Sequence, residues 1–222
     1  MKLSLKVAAI VAMSVALVVA AAPSSKRIVL SESNSVTLSD VNVFSIDTVI
    51  SALSNRDKEK PFYLYIDSPG GEVFAGKRLI DYLDGDSKNV VCVASNAMSM
   101  AFVTLQACPT RLVTRNVALM SHGIQMGVQG DLRAIDKQVE LGRALELMLS
   151  KISAARLGIT VEELNKLHNP EYWLVGGDVA VAAKAADEVV TVSCDSTLKG
   201  KTKKKVQTMF GQIEVEVNKC PI

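Results

Sequence analysis

The sequence predicts an α/β fold of repeated β-α units around a mainly parallel sheet, with one long helix protruding from it. Three observations carry that expectation. Short β-rich apolar runs alternate with helix-period segments from Arg27 onward. A single amphipathic stretch occupies Asp131 to Leu157. The chain has 222 residues, 49% hydrophobic and 22% charged, which suits one globular domain with a sizeable core.

Arg27-Ile28-Val29-Leu30 reads as the first strand, followed by a helix from about Val43 to Leu53 and the strand Phe62-Tyr63-Leu64-Tyr65-Ile66. A helix over Val73 to Leu83 places Leu79, Ile80 and Leu83 on one face, and Val90 to Ala94 follows as a buried strand. A third helix starts near Ser99 and runs to Ala107, and Arg111 to Thr114 and Val117 to Met120 read as two short strands. Such alternation gives a largely parallel sheet with helices on its faces. In the long segment Leu132, Ile135, Val139, Leu145, Met148, Leu149 and Ile152 recur at helical spacing. An unbroken helix there is about 40 Å long, more than a small domain covers, so its apolar stripe calls for another subunit. Thr160 to Leu167 and Gly177 to Ala186 read as two further helices, with Glu163 three residues after Thr160 as a capping box, and Val189 to Val192 closes the sheet.

The two ends carry different signals. Lys2 and Lys6 precede an apolar run from Val7 to Ala20, then Ala20-Ala21-Ala22 before Pro23, the pattern of a secretory signal peptide over residues 1–22. The run is short for a spanning helix, so the expectation is cleavage after Ala21, with an uncleaved anchor as the alternative. The mature protein is then expected to be periplasmic or secreted, without a membrane partner. Residues 26–195 form the expected domain, and residues 196–222 a basic tail holding Lys199, Lys201, Lys203, Lys204 and Lys205, read as a solvated, mobile segment. Within that tail Val206 to Phe210 and Ile213 to Val217 alternate around Gly211-Gln212, which reads as a hairpin turning at that dipeptide. A net charge of +2 gives no electrostatic reason to expect nucleic acid as a partner.

The cysteines number four, which fits an oxidising compartment. Cys194 and Cys220 bracket the tail, and a bridge between them would staple the hairpin to the domain. Cys92, in an apolar strand, and Cys108, at a helix end, read equally as buried thiols. There is no C-x-x-C spacing and only two histidines, so no metal site and no cofactor is expected.

The chemistry-bearing positions fall at strand ends. Ser68-Pro69-Gly70-Gly71 follows the strand ending at Asp67, at the carboxyl end where open α/β sheets place ligands, and its glycines permit a sharp turn with an exposed N–H. Ser99 opens a helix just after a strand, where its hydroxyl and the N–H of Met100 can face an incoming carbonyl. A serine nucleophile needs a base, and the candidates are His122 and His168. His122 ends a strand beside the Ser99 loop. His168 reads as an exposed histidine at a helix end, stabilised by the dipole there.

The order of these motifs resembles the Clp protease proteolytic subunit family of the crotonase superfamily. Tyr65-Ile66-Asp67-Ser68-Pro69-Gly70-Gly71, with Val73 and Ala75-Gly76, is similar to that family's Y-I-N-S-P-G-G-x-V-x-A-G; Ala97 to Phe102 resembles A-A-S-M-G-A-F; and Met120-Ser121-His122 resembles M-I-H. The long helix corresponds to the family's handle helix, and the resemblance extends from about Arg27 to Val192. It implies Ser99 as nucleophile, His122 as base, and the N–H groups of Gly71 and Met100 as an oxyanion hole. The position of the family's third triad member is held here by Glu171, with Asn169 and Asp178 as alternatives. Ala101 replaces the glycine after Ser-Met, and Glu72 follows the two glycines.

The implied activity is a serine endopeptidase acting on peptides or unfolded proteins. The family's homo-oligomeric rings, heptameric and stacked in pairs, are expected by the same resemblance. Little chain separates the signal segment from Arg27, leaving no room for the family's pore-lining N-terminal segment, and no G-x-x-x-x-G-K-[ST] motif is present. Export would also remove an ATP-driven partner, so ATP-independent hydrolysis is expected. Two rival readings are a signal-peptide-peptidase-like Ser/Lys hydrolase using Lys151 as base, and a binding or assembly protein that keeps the fold without catalysis.

Overall fold

The computed structural model describes residues 26–208 and 211–222. The expected signal segment lies outside them. The first half of the domain is a succession of β-α units: β1 (Arg27–Leu30), β2 (Ser35–Leu38), α1 (Val43–Ser54), β3 (Phe62–Ser68), α2 (Val73–Gly85), β4 (Val90–Met98) and α3 (Met100–Ala107). Then come β5 (Thr110–His122), α4 (Leu132–Leu157), α5 (Val161–Leu167), β6 (Glu171–Val175), α6 (Gly177–Ala182) and β7 (Glu188–Cys194). A 3-10 turn at Ser196–Leu198 leads to β8 (Lys201–Thr208) and β9 (Gly211–Asn218).

The main sheet runs β1-β7-β5-β4-β3-β2, and β6 joins β5 as its one antiparallel member. Side chains alternate across a strand. Accordingly Leu64, Ile66, Cys92, Ala94 and Val113 enter the main core with the helices, while Tyr65, Val93 and Leu112 join Ile28, Leu30 and Val190 on the opposite face. The helices therefore cover one face. Among the described residues the second face is filled by strand residues and by Leu198 of the 3-10 turn. Burial of the Tyr65 ring there raises its phenol pKa, with a hydrogen bond to Ser95 acting in the other direction.

Helix ends follow their capping residues. Asn42 accepts from the Ser45 N–H at the start of α1, and Asp131 accepts from the Ala134 N–H at the start of α4. Thr160 and Glu163 form the expected reciprocal box, and Gly158 ends α4 in the left-handed conformation, at φ 73°.

Several expectations change, among them the helix expected over Gly177 to Ala186, which ends at Ala182. The two short strands around Thr114 are a single 13-residue strand, β5. Its pairing to β4 slips between Val113 and Ala118, and its other edge passes from β7 at Thr114 to β6 at Ala118. Arg115 and Asn116, between the two expected strands, mark this change of neighbour. The lysine run Lys201 to Lys205 is part of β8, paired along its length with β9, and Lys201 and Lys203 form ion pairs with Glu216 and Glu214. The hairpin also turns earlier than expected: Thr208 pairs with Gly211, so Gly211-Gln212 lies in the second strand.

Both cysteine pairs are joined as disulfides. Cys194–Cys220 ties the end of the hairpin to the end of β7, and Cys92–Cys108 ties β4 to the end of α3 across a Cα separation of 6.1 Å.

Candidate active site

The site forms where β3, β4 and β5 end together. Beyond β3 the chain doubles back through Gly70 and Gly71, at φ 101° and 143°. These conformations require glycine, and so does the space. A Cβ on Gly70 would lie 2.6 Å from the Met98 carbonyl oxygen, and one on Gly71 would lie 2.3 Å from that of Val41. Ser68 accepts the Gly70 N–H at 3.1 Å, while the Val41 N–H donates to Gly70 O at 2.9 Å and the Glu72 N–H donates to Val41 O at 2.7 Å. That bridge leaves the Gly71 N–H without a partner among the described residues.

Ser99 stands between β4 and α3 at φ 54°, ψ −124°, a backbone conformation that costs a side-chain-bearing residue of order 1–3 kcal/mol and persists only where the surroundings enforce it. What enforces it is visible. The Ser99 N–H donates to Met120 O at 2.8 Å on β5, and Gly70 packs against Ser99 from the other side. The hydroxyl makes no capping bond to α3 and has no hydrogen-bond partner among the described residues, where the Met100 N–H is likewise one of the helix's unpartnered first donors. Met100 is held by its side chain, which fills the space over Gly76 of α2.

His122 ends β5, and its Nδ1 lies against the carbonyl oxygen of Gly123. A carbonyl only accepts, so Nδ1 carries the proton and Nε2 is left with its lone pair. Directly opposite His122 on β6 is Glu171. Its carboxylate, however, accepts from Trp173 Nε1 at 2.8 Å on the exposed side of the strand. Among the described residues no carboxylate is hydrogen-bonded to His122. Asn169 and Asp178 are both exposed.

A cavity of about 260 Å³ brings Ser99, His122, Gly71 and Met100 together. Lys151 does not line it and is exposed on α4.

Sequence reasoning missed several members of this cavity. His168 caps α5 as expected but is not an exposed residue: its Nε2 is 2.8 Å from the hydroxyl of buried Ser121, and its Nδ1 is buried without a partner among the described residues. Burial, and then the neighbouring His122, hold its pKa below the ordinary histidine value. The available signal was its spacing, four residues after Leu164, which is buried. From α4 come Glu146, Ser150 and Ser153.

A serine on a strained strand-to-helix turn, beside unpartnered backbone N–H groups and a histidine that ends the next strand, is the layout of an acyl-transfer site. The model of the family described as Clp protease matches residues 37–193, and the chain belongs to that family. It is 28% identical over 124 residues to ATP-dependent Clp protease proteolytic subunit 2 of Tropheryma whipplei (strain Twist), spanning 54% of this chain and 69% of that one. It is 26% identical over 143 residues to the proteolytic subunit of Streptococcus equi subsp. equi, spanning 62% and 72%. Proteolytic subunit 1 of Leifsonia xyli subsp. xyli is 26% identical over 137 residues, spanning 60% and 70%.

Proposed function

We propose that the protein is a serine-type endopeptidase that hydrolyses peptides or unfolded segments with Ser99 as nucleophile and His122 as general base. The observation that carries this reading is the Ser99 turn: a strained residue whose hydroxyl has no partner among the described residues, in one cavity with a histidine whose Nε2 can take a proton. Ser99 Oγ attacks the peptide carbonyl as its proton passes to His122 Nε2. The Gly71 and Met100 N–H groups hold the tetrahedral oxyanion, and His122 returns the proton to the leaving amine. Water, activated by the same ring, then releases the acyl group.

The site's location in the cell and its assembly are part of the same proposal. Two disulfides support an oxidising compartment, in keeping with an exported chain that works without an ATPase partner. Leu132, Leu141 and Leu147 stand exposed along α4, which supports assembly of copies through that helix.

The test is labelling of the purified mature protein with a fluorophosphonate probe, locating the adduct by mass spectrometry. An adduct on Ser99 that vanishes in Ser99→Ala and His122→Ala supports the peptidase. A folded, oligomeric sample that takes no label overturns it in favour of a binding or assembly role.

A further inference from the structure

The part of the cavity formed by α4 carries three polar side chains beside Leu149. Glu146 lines the cavity, and its Oε1 would lie 2.8 Å from a Cβ on Gly123, the residue that follows the base. Among the described residues this carboxylate has neither an ion pair nor a hydrogen bond. Arg143, one turn earlier, lines a neighbouring hollow with Glu146 without pairing to it. One turn and two turns deeper, Ser150 and Ser153 are 7% and 1% exposed, line the same cavity, and have hydroxyls without a partner among the described residues. The two hydroxyls and the carboxylate open onto one cavity, where each can accept from a donor that enters it.

Val73, Val103, Ile124, Leu149 and Leu164 form the aliphatic part of the wall, with Ser121, Gln125 and His168 beside them. A long side chain with an apolar stem and a cationic, multiply donating head matches that sequence of surfaces. Among the described residues no lysine or arginine lines the space. Lys151 lies outside it, and burial keeps His168 toward its neutral form.

We propose that Glu146, with Ser150 and Ser153, makes this cavity a specificity pocket for lysine or arginine at the residue whose carbonyl Ser99 attacks. The assignment rests on the peptidase reading for its place in a reaction, but the pocket's selectivity can be measured without turnover.

The experiment uses four peptides identical except at that residue, which is Arg, Lys, Leu or Glu. Their binding to the Ser99→Ala protein is measured by fluorescence anisotropy, and their cleavage by the wild-type protein is followed in parallel. A charge-assisted contact predicts that the Arg and Lys peptides bind about tenfold or more tighter than the Leu peptide. Adding Glu146→Gln should bring that ratio close to one, and Ser150→Ala with Ser153→Ala should lower it. Equal or tighter binding of the Leu peptide, an unchanged ratio in Glu146→Gln, or no binding of any peptide overturns the pocket. Selective binding with no cleavage keeps the pocket and removes the peptidase reading, whereas cleavage without selectivity does the reverse.

Discussion

A Cβ on Gly70 would stand 2.7 Å from the Cβ of Ser99. The glycine turn thus backs directly onto the residue it serves, and it fixes Ser99 from the side opposite Met120. Gly70→Ala adds both a strained φ and an overlap with backbone. It is expected to cost about 2–4 kcal/mol in urea unfolding and to abolish probe labelling at Ser99. Gly85→Ala, whose added Cβ meets nothing within 4 Å, is the control and should leave both unchanged.

Glu171 faces His122 across the β5–β6 pair, yet its carboxylate is bonded to Trp173. With the Gly123 carbonyl holding the ring, Glu171→Gln should reduce the rate of labelling less than about tenfold, whereas a carboxylate that fixes the tautomer of a catalytic histidine is worth roughly 10⁴. Stopped-time labelling with the fluorophosphonate decides between them. A loss of three decades or more would mean that Glu171 turns to His122 during reaction.

His168 gives stability a pH dependence of known sign. Its folded pKa is lowered, first by burial and then by His122, so the unfolded chain binds the proton more readily. The contribution is complete above the unfolded value of about 6.5 and declines as pH falls below it toward the folded value. Thermal unfolding between pH 7.5 and pH 5 should therefore show a steeper loss in the wild type than in His168→Gln. Parallel curves would contradict the burial of the ring.

The Cys194–Cys220 bridge spans 26 residues of sequence and fastens the β8–β9 hairpin to β7. Replacing both cysteines by serine should weaken that attachment by roughly 3 kcal/mol in the chain-entropy account. The expected readout is faster hydrogen exchange confined to residues 196–222, with the main sheet still protected. Loss of protection in β3 to β5 would instead make the hairpin part of the domain's cooperative core.

Much of this architecture was legible because the signals are local. Apolar runs such as Phe62–Ile66 and Val90–Ala94 and the α4 periodicity need no partner to be read, and Gly70-Gly71, Ser99 and His122 each sit where a strand ends. What escaped depends on neighbours. β2, with the sequence Ser-Val-Thr-Leu, is a strand because β3 offers it an edge. β6 is one because β5 runs on past β7. His168 turns inward because Ser121 offers a hydroxyl there, and the pairing of Cys92 with Cys108 follows from α3 folding back over β4. The use of Glu171 by Trp173 could not be read from spacing, since two residues along a strand share a face whether or not they bond.

Three successive positions of β5 hold different parts of the site: Met120 through its carbonyl to the Ser99 backbone, Ser121 through its hydroxyl to His168, and His122 as the proposed base. The proposed nucleophile and base are therefore registered to a common rail, since the Ser99 backbone is bonded to the residue two positions before His122. Glu146, Ser150 and Ser153 ride on α4, a separate element. Under the proposed function, shaping the chamber and aligning the reacting pair therefore fall to different elements, the first to α4 and the second to β5.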